Sequence, residues 1–345
     1  MRALVMDEIA GPLAVREVPT PAAPRGGVVV EVRATGLCRS DWHAWVGHDD
    51  IALPHVPGHE LAGVVHAVGD GVEGWRVGDR VTVPFVCGCG RCVWCRQGDA
   101  QVCPHQQQPG FTHDGSFAEF VALHAADTNL VAIPDEVSFD AAASLGCRFA
   151  TAFRALTARA RLTAGEWVTI VGAGGVGLSA VMIAKALGAH VVAVDRSDRA
   201  LQTATRLGAD HVVSAHEGDV PARIHDLTGG GSHVSMDAVG AEQTCADAVH
   251  SLRRRGRHVQ VGLLPTDTGL SGVPMAHAIA WELDLLGSHG MAAVDYPAML
   301  ALIARGALRP QDLIERVVTL DDAATLLPAL ATASPAGMTL IDPRR

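Results

Sequence analysis

The sequence predicts an α/β protein of two domains, a mostly β domain followed by a domain built on a parallel sheet. Its length of 345 residues exceeds what one ordinary hydrophobic core organises. Near residue 145 the pattern changes, because short β segments separated by Gly and Pro give way to apolar strands that alternate with apolar helices. A glycine-rich turn at residues 172–177 joins the first strand and helix of this second half, a placement typical of βαβ units.

In the first half, residues 28–32 and 63–68 have the composition and alternation of strands. Glycine turns follow at residues 69–71 and 78–79, so we expect an irregular, barrel-like domain rather than layers of helix and strand. From residue 140 to residue 160 the sequence is Ala-rich, has helical periodicity and lacks proline, which predicts one long helix.

The second half alternates strand and helix. Segments 167–174 and 190–196 are apolar strands on either side of a helix over residues 176–188, and this βαβ unit predicts a parallel sheet. Beyond this unit we expect four further strands, a helix and a last strand. The four strands are placed at residues 211–213, 234–237, 258–261 and 283–286, and the helix at residues 297–305.

Composition and charge exclude several classes of protein. The formal net charge of −10 argues against nucleic acid or an anionic membrane as a partner. No apolar stretch approaches the ~20 residues of a membrane span, and residues 1–18 alternate like a strand rather than forming a signal peptide. Eight cysteines without an export signal predict a reducing, cytoplasmic location. The one basic cluster, residues 253–255 with Arg257, is interpreted as a solvated turn before a strand.

The glycine turn fits the dinucleotide fingerprint G-x-G-x-x-G. Gly172 allows the tight turn, Gly174 lets the backbone approach a pyrophosphate, and Gly177 lets the helix pack on the strand. The alternative is a turn whose glycines serve packing alone, but Asp195 closes the next strand near the ~20-residue offset of a ribose-binding acid. A carboxylate there repels a 2′-phosphate and predicts NAD rather than NADP, although the neighbouring Arg196 favours that phosphate.

A second motif places four cysteines in one short loop with the spacing C-x2-C-x2-C-x7-C, namely Cys89, Cys92, Cys95 and Cys103. Four thiolates at this spacing can close a tetrahedral zinc shell. Disulfides are the alternative, but cysteines two residues apart make poor disulfide partners. A sealed four-sulfur site is structural, since no position remains for a substrate. Cys87, just ahead of the loop, could exchange with Cys89 but is expected to be a bystander.

Reaction chemistry therefore lies elsewhere, and a sparser set of metal ligands is the candidate. Cys38, His59 and Cys147 offer two thiolates and one imidazole, which leaves room on zinc for water or a substrate. Spacing alone supports this set weakly, because the three residues lie far apart in sequence. An isolated buried Cys or His more often serves packing than ligation.

In their order along the chain these segments resemble the zinc-dependent alcohol dehydrogenases of the medium-chain dehydrogenase/reductase family, of the microbial type. The resemblance runs through G-x-C-R-S-D at residues 36–41, G-H-E-x2-G-x5-G at residues 58–69, the cysteine loop, the Cys147 helix and the glycine fingerprint. It implies a GroES-like, mostly β catalytic domain with a structural-zinc lobe at residues 1–147. A Rossmann NAD-binding domain with a doubly wound parallel sheet follows at residues 148–288, and residues 289–345 return to complete the catalytic domain.

The resemblance also implies residue roles at the metal. Cys38, His59 and Cys147 correspond to the ligands of the catalytic zinc. Glu60 is expected behind the metal, from where it can approach during ligand exchange, and Asp41 is expected to orient His59.

Proton transfer, substrate binding and cofactor binding are assigned by the same resemblance. Ser40 would receive the proton of the alcohol and pass it through the nicotinamide ribose to His43 and solvent. The expected substrate pocket is lined by Trp45, Phe85 and Trp42. The expected cofactor contacts are Arg39, Thr151, Gly172, Gly174, Gly175, Val176, Gly177, Asp195, Arg196, Val261 and Leu263.

The implied activity is reversible hydride transfer from a zinc-bound alkoxide to NAD, giving an aldehyde or ketone. A polyol or amino-alcohol dehydrogenase of the same family is the alternative, disfavoured because Cys147 and the full cysteine loop are present. A zinc-free reductase or a nucleotide sensor is a further alternative, disfavoured because such relatives lose the zinc ligands and the relay. Two zinc ions per chain and a homotetramer are expected, with a homodimer as the alternative assembly.

One residue departs from the family pattern. Met338 stands where many members carry an arginine that helps to hold the pyrophosphate. We therefore expect Arg39 and the backbone of residues 172–177 to carry more of the phosphate binding, and NAD to bind more weakly.

Overall fold

A computed structural model describes residues 1–216, 218–264, 272–332 and 337–345. The chain divides into two compact units, one formed by residues 1–150 with 290–345 and the other by residues 151–289. Of the helices described, none is both long and apolar enough to cross a membrane.

The elements of the described residues are numbered along the chain. The strands are β1 (Arg2–Met6), β2 (Leu13–Glu17), β3 (Val28–Leu37), β4 (Glu60–Val68), β5 (Arg80–Thr82), β6 (Phe120–Leu123), β7 (Val131–Ala132), β8 (Trp167–Val171), β9 (His190–Asp195), β10 (His211–Ser214), β11 (Ser232–Asp237), β12 (Leu252–Gln260), β13 (Asp284–Gly287), β14 (Ile314–Val318) and β15 (Met338–Ile341). The α-helices are α1 (Arg39–Trp45), α2 (Val93–Arg96), α3 (Ala126–Asn129), α4 (Phe139–Ala143), α5 (Ala150–Arg154), α6 (Gly175–Ala186), α7 (Asp198–Arg206), α8 (Val220–Thr228), α9 (Glu242–His250), α10 (Met275–Trp281), α11 (Tyr296–Ala304) and α12 (Leu320–Ala329). Shorter 3-10 segments lie at Ala100–Val102, Ala293–Asp295 and Pro310–Leu313.

The first unit is built on a mostly antiparallel sheet with the order β14-β15-β3-β4-β5-β7, and β6 also pairs with β3. β1 and β2 form a separate hairpin. Val28, Val30 and Val32 alternate inward along β3 and are fully buried against Leu61 and Val65 of β4. The period of two follows from the pleat, because successive side chains of a strand point to opposite faces. This confirms a mostly β first domain.

The predicted continuous helix over residues 140–160 is wrong in its detail. α4 and α5 are each followed by a π-helical segment, at Leu145–Phe149 and Ala155–Arg159. The carbonyl oxygen of Gly146 accepts hydrogen bonds from the backbone N–H of Phe85 at 3.0 Å and from the hydroxyl of Tyr296 at 3.4 Å. In a regular α-helix this carbonyl would accept only from the backbone N–H four residues later, so both donors compete with the helical hydrogen bond. Sequence periodicity does not reveal such donors.

The second unit contains a six-stranded parallel sheet with the order β10-β9-β8-β11-β12-β13. Every strand of this sheet overlaps a predicted segment, although β12 starts earlier than predicted, at Leu252. The order reverses between β8 and β11, which is the doubly wound arrangement that the resemblance implied. Val192 and Val194 of β9 are buried together with Ile224 of α8 on one face of the sheet. Ligands of such sheets bind outside the carboxyl ends of the strands at the point of reversal.

β12 begins at Leu252 and includes the arginines of residues 253–255, interpreted from the sequence as a turn before a strand. The pairing of β12 with β11 jumps from Leu252 to Arg257, and Arg255 has a φ of +61°, so these arginines form a bulge ahead of the regularly paired part of the strand. Their side chains are exposed, as expected. However, Arg253 lies 2.8 Å from Nε2 of His233, and the guanidinium of Arg254 lies 4.8 Å from the ring centroid of Trp281. A run of charges does not indicate such neighbours.

Candidate functional site

Strand pairing brings together two predicted ligands that are separated in sequence. Gly36 of β3 lies opposite Glu60 of β4 in an antiparallel register. Cys38 follows the end of β3 and His59 precedes the start of β4, so both enter the same region of the first unit. Gly58 permits this entry, since its φ of +104° is a conformation that side-chain-bearing residues rarely adopt.

Asp41 holds both of these ligands from helix α1. Its Oδ2 accepts a hydrogen bond from the backbone N–H of Cys38 at 2.9 Å, and its Oδ1 lies 2.8 Å from Nδ1 of His59. All three residues are buried. The Nδ1 contact fixes the orientation of the ring and leaves Nε2 as the nitrogen available for a metal.

Cys147 joins this cluster from the π-helical segment. A ligand atom from each of four residues lies within 4.8 Å of the others, the four being Cys38, His59, Glu60 and Cys147. Nε2 of His59 is buried and has no hydrogen-bond partner among the described residues. A buried imidazole nitrogen without a donor, beside two thiols, fits Zn²⁺, which binds such N and S ligands and keeps a position for substrate in catalytic sites.

Electrostatics in this cluster favour a thiolate. A hydrogen bond from the thiol of Cys147 holds the pKa of Cys38 well below its usual range, against the cost of burial. The positive charge of Arg148 acts in the same direction. The same hydrogen bond raises the pKa of Cys147, so this pair offers a metal one thiolate, the form that binds metals, and one thiol.

Arg148 is the neighbour that sequence reasoning missed. It follows Cys147 and forms an ion pair with Glu60, and both side chains are buried. Burial raises the pKa of Glu60 above its ordinary value, and the charge of Arg148 opposes that shift. An arginine within an Ala-rich helix has the appearance of a solvent-facing residue, so the sequence carries no signal for this pair.

Helix α1 also carries the residues of the predicted proton relay. Oγ of Ser40 lies 3.8 Å from Sγ of Cys38, which puts this hydroxyl beside the metal cluster. His43 is three residues further on and therefore on the same face of the helix. Its Nδ1 lies 2.8 Å from Nδ1 of His48, which is exposed, so one proton is shared between the two rings. Partial burial, followed by the charges of His48 and Arg39, lowers the pKa of His43.

Aromatic side chains surround His59. Its ring centroid lies 6.2 Å from that of Phe85 and 5.1 Å from that of Phe111. Trp45 packs in the same apolar cluster as Phe111, and its Nε1 donates to the carbonyl of Gly11 at 2.9 Å. Phe85 and Phe111 are therefore the aromatic side chains that contact the ring of His59 among the residues described here.

Trp42 has different surroundings. Its ring meets that of His43 edge-on at 5.1 Å and that of His48 at 6.0 Å. The guanidinium of Arg39, which is exposed, lies 5.5 Å from the Trp42 ring centroid. Trp42 thus lies beside the histidine pair.

The four-cysteine loop forms a second compact cluster. Its ligand atoms lie within 4.8 Å of one another and its cysteines are free thiols, the four being Cys89, Cys92, Cys95 and Cys103. Backbone N–H groups from the loop donate to two of these sulfurs at 3.3–3.5 Å. The backbone N–H of Arg91 is the main cause that lowers the pKa of Cys89 to about 6. A set of four thiols supported in this way fits a structural zinc.

Cys87 lies outside this cluster. Its buried thiol donates to the carbonyl of Pro84 at 3.4 Å, and burial raises the pKa of Cys87 to about 12. The sulfur of Cys87 is not among the four that lie within 4.8 Å of one another, and this geometry favours Cys89 over Cys87 as the first cysteine of the metal set.

The glycine turn lies at the carboxyl end of β8 in the second unit. Gly172 has a φ of +94°, and a Cβ at Gly177 would clash with the carbonyl of Gly172. The fold itself therefore requires these two glycines. A Cβ at Gly174 would meet nothing within 4 Å among the described residues, so the lack of a side chain there serves an approaching ligand instead. A pyrophosphate at the N-terminus of α6, which begins at Gly175, fits this opening.

Asp195 lies at the end of β9, beside this turn. Its Oδ2 accepts from the backbone N–H of Ala173 at 2.6 Å, and its Oδ1 accepts from that of Ser197 at 2.8 Å. Arg196 is exposed. The carboxylate therefore connects the glycine turn with the start of α7, where an acid that recognises ribose is expected.

The remaining predicted cofactor contacts lie in two segments, one after β12 and one in α5. Val261 follows β12, and its N–H donates to the carbonyl of Asp237 at 3.1 Å. The side chain of Leu263 is 81% exposed, whereas Thr151 is buried in α5. Met338 is fully buried at the start of β15 in the first unit.

Both halves of the chain match family models of dehydrogenases, and several relatives and solved structures that span most of the chain are alcohol dehydrogenases. The family model of the alcohol dehydrogenase GroES-like domain matches residues 24–135, and that of the zinc-binding dehydrogenases matches residues 175–305. An alcohol dehydrogenase of Geobacillus stearothermophilus is 39% identical over 289 residues, which are 81% of this chain and 85% of the relative. A solved NAD-dependent alcohol dehydrogenase is 31% identical with a TM-score of 0.88, over 99% of this chain and 100% of that one. The alcohol dehydrogenase of Thermus sp. ATN1 is 30% identical with a TM-score of 0.91, over 99% of both chains.

Proposed function

Because this chain belongs to the zinc-dependent alcohol dehydrogenases of the medium-chain dehydrogenase/reductase family, we propose that Cys38, His59 and Cys147 bind its catalytic zinc. The chain is a zinc-dependent enzyme that oxidises alcohols reversibly with NAD. The observation that supports this ligand set is the buried Nε2 of His59, without a hydrogen-bond partner among the described residues, beside the two thiols.

Zinc bound by these ligands supplies a Lewis acid that lowers the pKa of an alcohol hydroxyl. Ser40 is positioned beside Cys38 to accept the proton of that hydroxyl. His43 takes up the proton further along α1, and the exposed His48 passes it to solvent through the Nδ1–Nδ1 contact. Phe85 and Trp45, with Trp42 beside the relay, are proposed to shape the substrate pocket.

NAD bound at the glycine turn supplies the hydride acceptor. The backbone of residues 172–177 and the N-terminus of α6 are proposed to hold its pyrophosphate, and Asp195 its ribose. The other proposed contacts are Arg39, Thr151, Arg196, Val261 and Leu263.

A substrate panel tests the reaction and narrows the substrate. Purified protein is mixed with NAD and with primary, secondary, aromatic and polyol alcohols in turn, and NADH absorbance is followed. We expect turnover of simple alcohols that stops when a chelator has removed the zinc. A protein that turns over only polyols would favour the polyol dehydrogenases, and one that turns over no alcohol would contradict the assignment.

Asp195 predicts the choice of cofactor. We expect kcat/KM to be higher with NAD than with NADP, because a carboxylate at the end of β9 repels a 2′-phosphate. Asp195→Ala should lower kcat/KM with NAD by about 10- to 100-fold, the equivalent of one lost charged hydrogen bond of about 1.5–3 kcal/mol. Asp226→Ala, on the exposed side of α8, is the matched control. A higher kcat/KM with NADP in the wild type would contradict the role of Asp195.

His43 predicts the pH dependence of alcohol oxidation. Its pKa is lowered by partial burial, then by the charges of His48 and Arg39, while Asp49 opposes the shift. His43 is therefore neutral and able to accept a proton at neutral pH, and the rate should fall once the pH drops below its lowered pKa. His43→Ala should slow oxidation near neutral pH by about 10- to 100-fold, and less at alkaline pH, where solvent base replaces the ring.

The pH profile of His43→Ala is compared with that of His66→Gln, which changes an exposed histidine of β4 in the same unit. The control should keep the wild-type profile. A His43→Ala profile that has the wild-type shape and height would remove His43 from the relay.

We also propose a homotetramer in the cytoplasm. The compact loop after His43 resembles that of the microbial enzymes, and the many free thiols suit a reducing compartment. Light scattering should give about four times the chain mass of 35.9 kDa. A mass of one chain would contradict the tetramer.

A further inference from the structure

Glu60 lies where its carboxylate can reach the catalytic metal. It follows the ligand His59, it is fully buried, and one of its oxygens lies within 4.8 Å of the ligand atoms of Cys38, His59 and Cys147. A catalytic zinc holds three protein ligands and keeps a fourth position for water or substrate. If the carboxylate of Glu60 took that position, the alcohol would be excluded.

Arg148 engages both carboxylate oxygens of Glu60. Its backbone N–H and its Nε donate to Oε1 at 3.1 Å and 3.0 Å, and its Nη2 donates to Oε2. The side chain of Arg148 is only 8% exposed. A guanidinium that binds both oxygens fixes the geometry of a carboxylate as well as its charge. Separating this pair would leave a buried charge without its partner, which is costly.

The backbone of β3 lies directly against the pair. A Cβ at Gly36 would clash with Oε2 of Glu60 and would lie 2.9 Å from Nη2 of Arg148, so the pair fills the space against β3. Arg148 also belongs to the π-helical segment that supplies Cys147. One short segment therefore carries both a metal ligand and the partner of a competing ligand.

We propose that Arg148 is a positioning residue that holds Glu60 away from the catalytic zinc and keeps the fourth coordination position for the alcohol. This rests on the proposed ligand set of Cys38, His59 and Cys147. Glu60 has two competing partners, the guanidinium and the metal, and Arg148 sets which of them it contacts. The fraction of protein with an open position scales the apparent affinity for any ligand that needs that position.

Cobalt(II) in the catalytic site gives a readout besides activity, because its visible absorption depends on its ligands and geometry. Arg148→Gln removes the positive charge and the hydrogen bonds from the guanidinium to both carboxylate oxygens of Glu60. We expect the visible absorption of the cobalt protein without added imidazole to shift, because Glu60 joins the metal. The affinity for imidazole, a small ligand for the open position, should fall by roughly 10- to 100-fold. KM should rise more than kcat falls. Arg148→Lys keeps the positive charge but cannot bind both carboxylate oxygens in the same way, so it should give an intermediate shift of the cobalt absorption.

Removing the carboxylate separates this role from a merely structural one. Adding Glu60→Gln to the Arg148→Gln variant should restore the imidazole affinity of the wild type, since the competing ligand is gone. Arg33→Gln is the matched control, because it removes a guanidinium paired with Glu31 at 3.0 Å in the same unit. It should leave both the absorption and the imidazole affinity unchanged.

Three results would overturn or redirect the proposal. Unchanged absorption and imidazole affinity in both Arg148 variants would overturn it, and so would a double variant that binds imidazole no better than Arg148→Gln. If Arg148→Gln fails to fold, Arg148→Lys with and without Glu60→Gln provides the same comparison. A wild-type protein whose cobalt shows no thiolate-to-metal absorption would instead contradict the proposed ligand set.

Discussion

Replacing Cys38 with serine is expected to lower kcat/KM for alcohol oxidation by about a thousandfold or more. The reason is that one of the two thiolates leaves the candidate cluster, so the Lewis acid is lost or misplaced. A thousandfold corresponds to about 4 kcal/mol of transition-state stabilisation, in the range that a catalytic metal supplies. The zinc content should also fall from two ions per chain to one, because only the cysteine loop keeps a complete set among the described clusters.

Kinetics and metal analysis on the same preparations check this prediction. Cys245→Ala is the matched control, since Cys245 is a buried thiol of α9 that belongs to neither cluster. It should keep the wild-type zinc content and activity. A Cys38→Ser protein with full zinc content and near-normal kcat/KM would show that Cys38 is not a ligand.

Replacing Cys103 with serine is expected to remove the other zinc and to destabilise the first unit. The loop from Cys89 to Cys103 holds its sulfurs together with only short elements around them, so the metal contributes folding free energy directly. A loss of about 3 kcal/mol would lower Tm by about 6–12 °C, at 2–4 °C per kcal/mol for a unit of this size. Differential scanning calorimetry together with zinc analysis measures both effects.

The neighbouring cysteine provides the control for the loop. Cys87→Ala should keep both zinc ions, because the thiol of Cys87 donates to the Pro84 carbonyl and its sulfur lies outside the compact set of four. It should cost stability only through packing. A Cys89→Ser protein that kept its full zinc content would contradict the chosen set and favour Cys87 as the ligand.

Much of the fold follows from local pattern. The strands of the second unit were predictable because each is a short apolar run bounded by turn residues, and the glycine turn fixes the first βαβ unit. The start of β12 at Leu252 was not, because a run of arginines does not indicate the bulge that joins Leu252 to Arg257.

The candidate catalytic cluster could be predicted only by resemblance. Cys38 and His59 converge because Gly36 pairs with Glu60, and a register between two strands is not visible in the spacing of two residues. The resemblance supplied the residues, and the register supplies the physical reason for their meeting.

The ion pair of Arg148 with Glu60 could be predicted neither from local sequence pattern nor from the family resemblance. Glu60 is remote from Arg148 in sequence, and the burial of Arg148 depends on a π-helical segment that periodicity does not predict. The contact of His43 with His48 belongs to the same class, because the two rings meet through the path of the chain after α1.

Anomalous X-ray scattering at the zinc absorption edge, from crystals of the metal-loaded protein, tests the central claim most directly. We expect two peaks per chain, one inside the loop of Cys89, Cys92, Cys95 and Cys103. The other should lie about 2.3 Å from Sγ of Cys38 and Cys147 and about 2.0–2.1 Å from Nε2 of His59. A second peak bound to other residues, or a single peak in the cysteine loop of a fully active preparation, would contradict the assignment of the catalytic zinc.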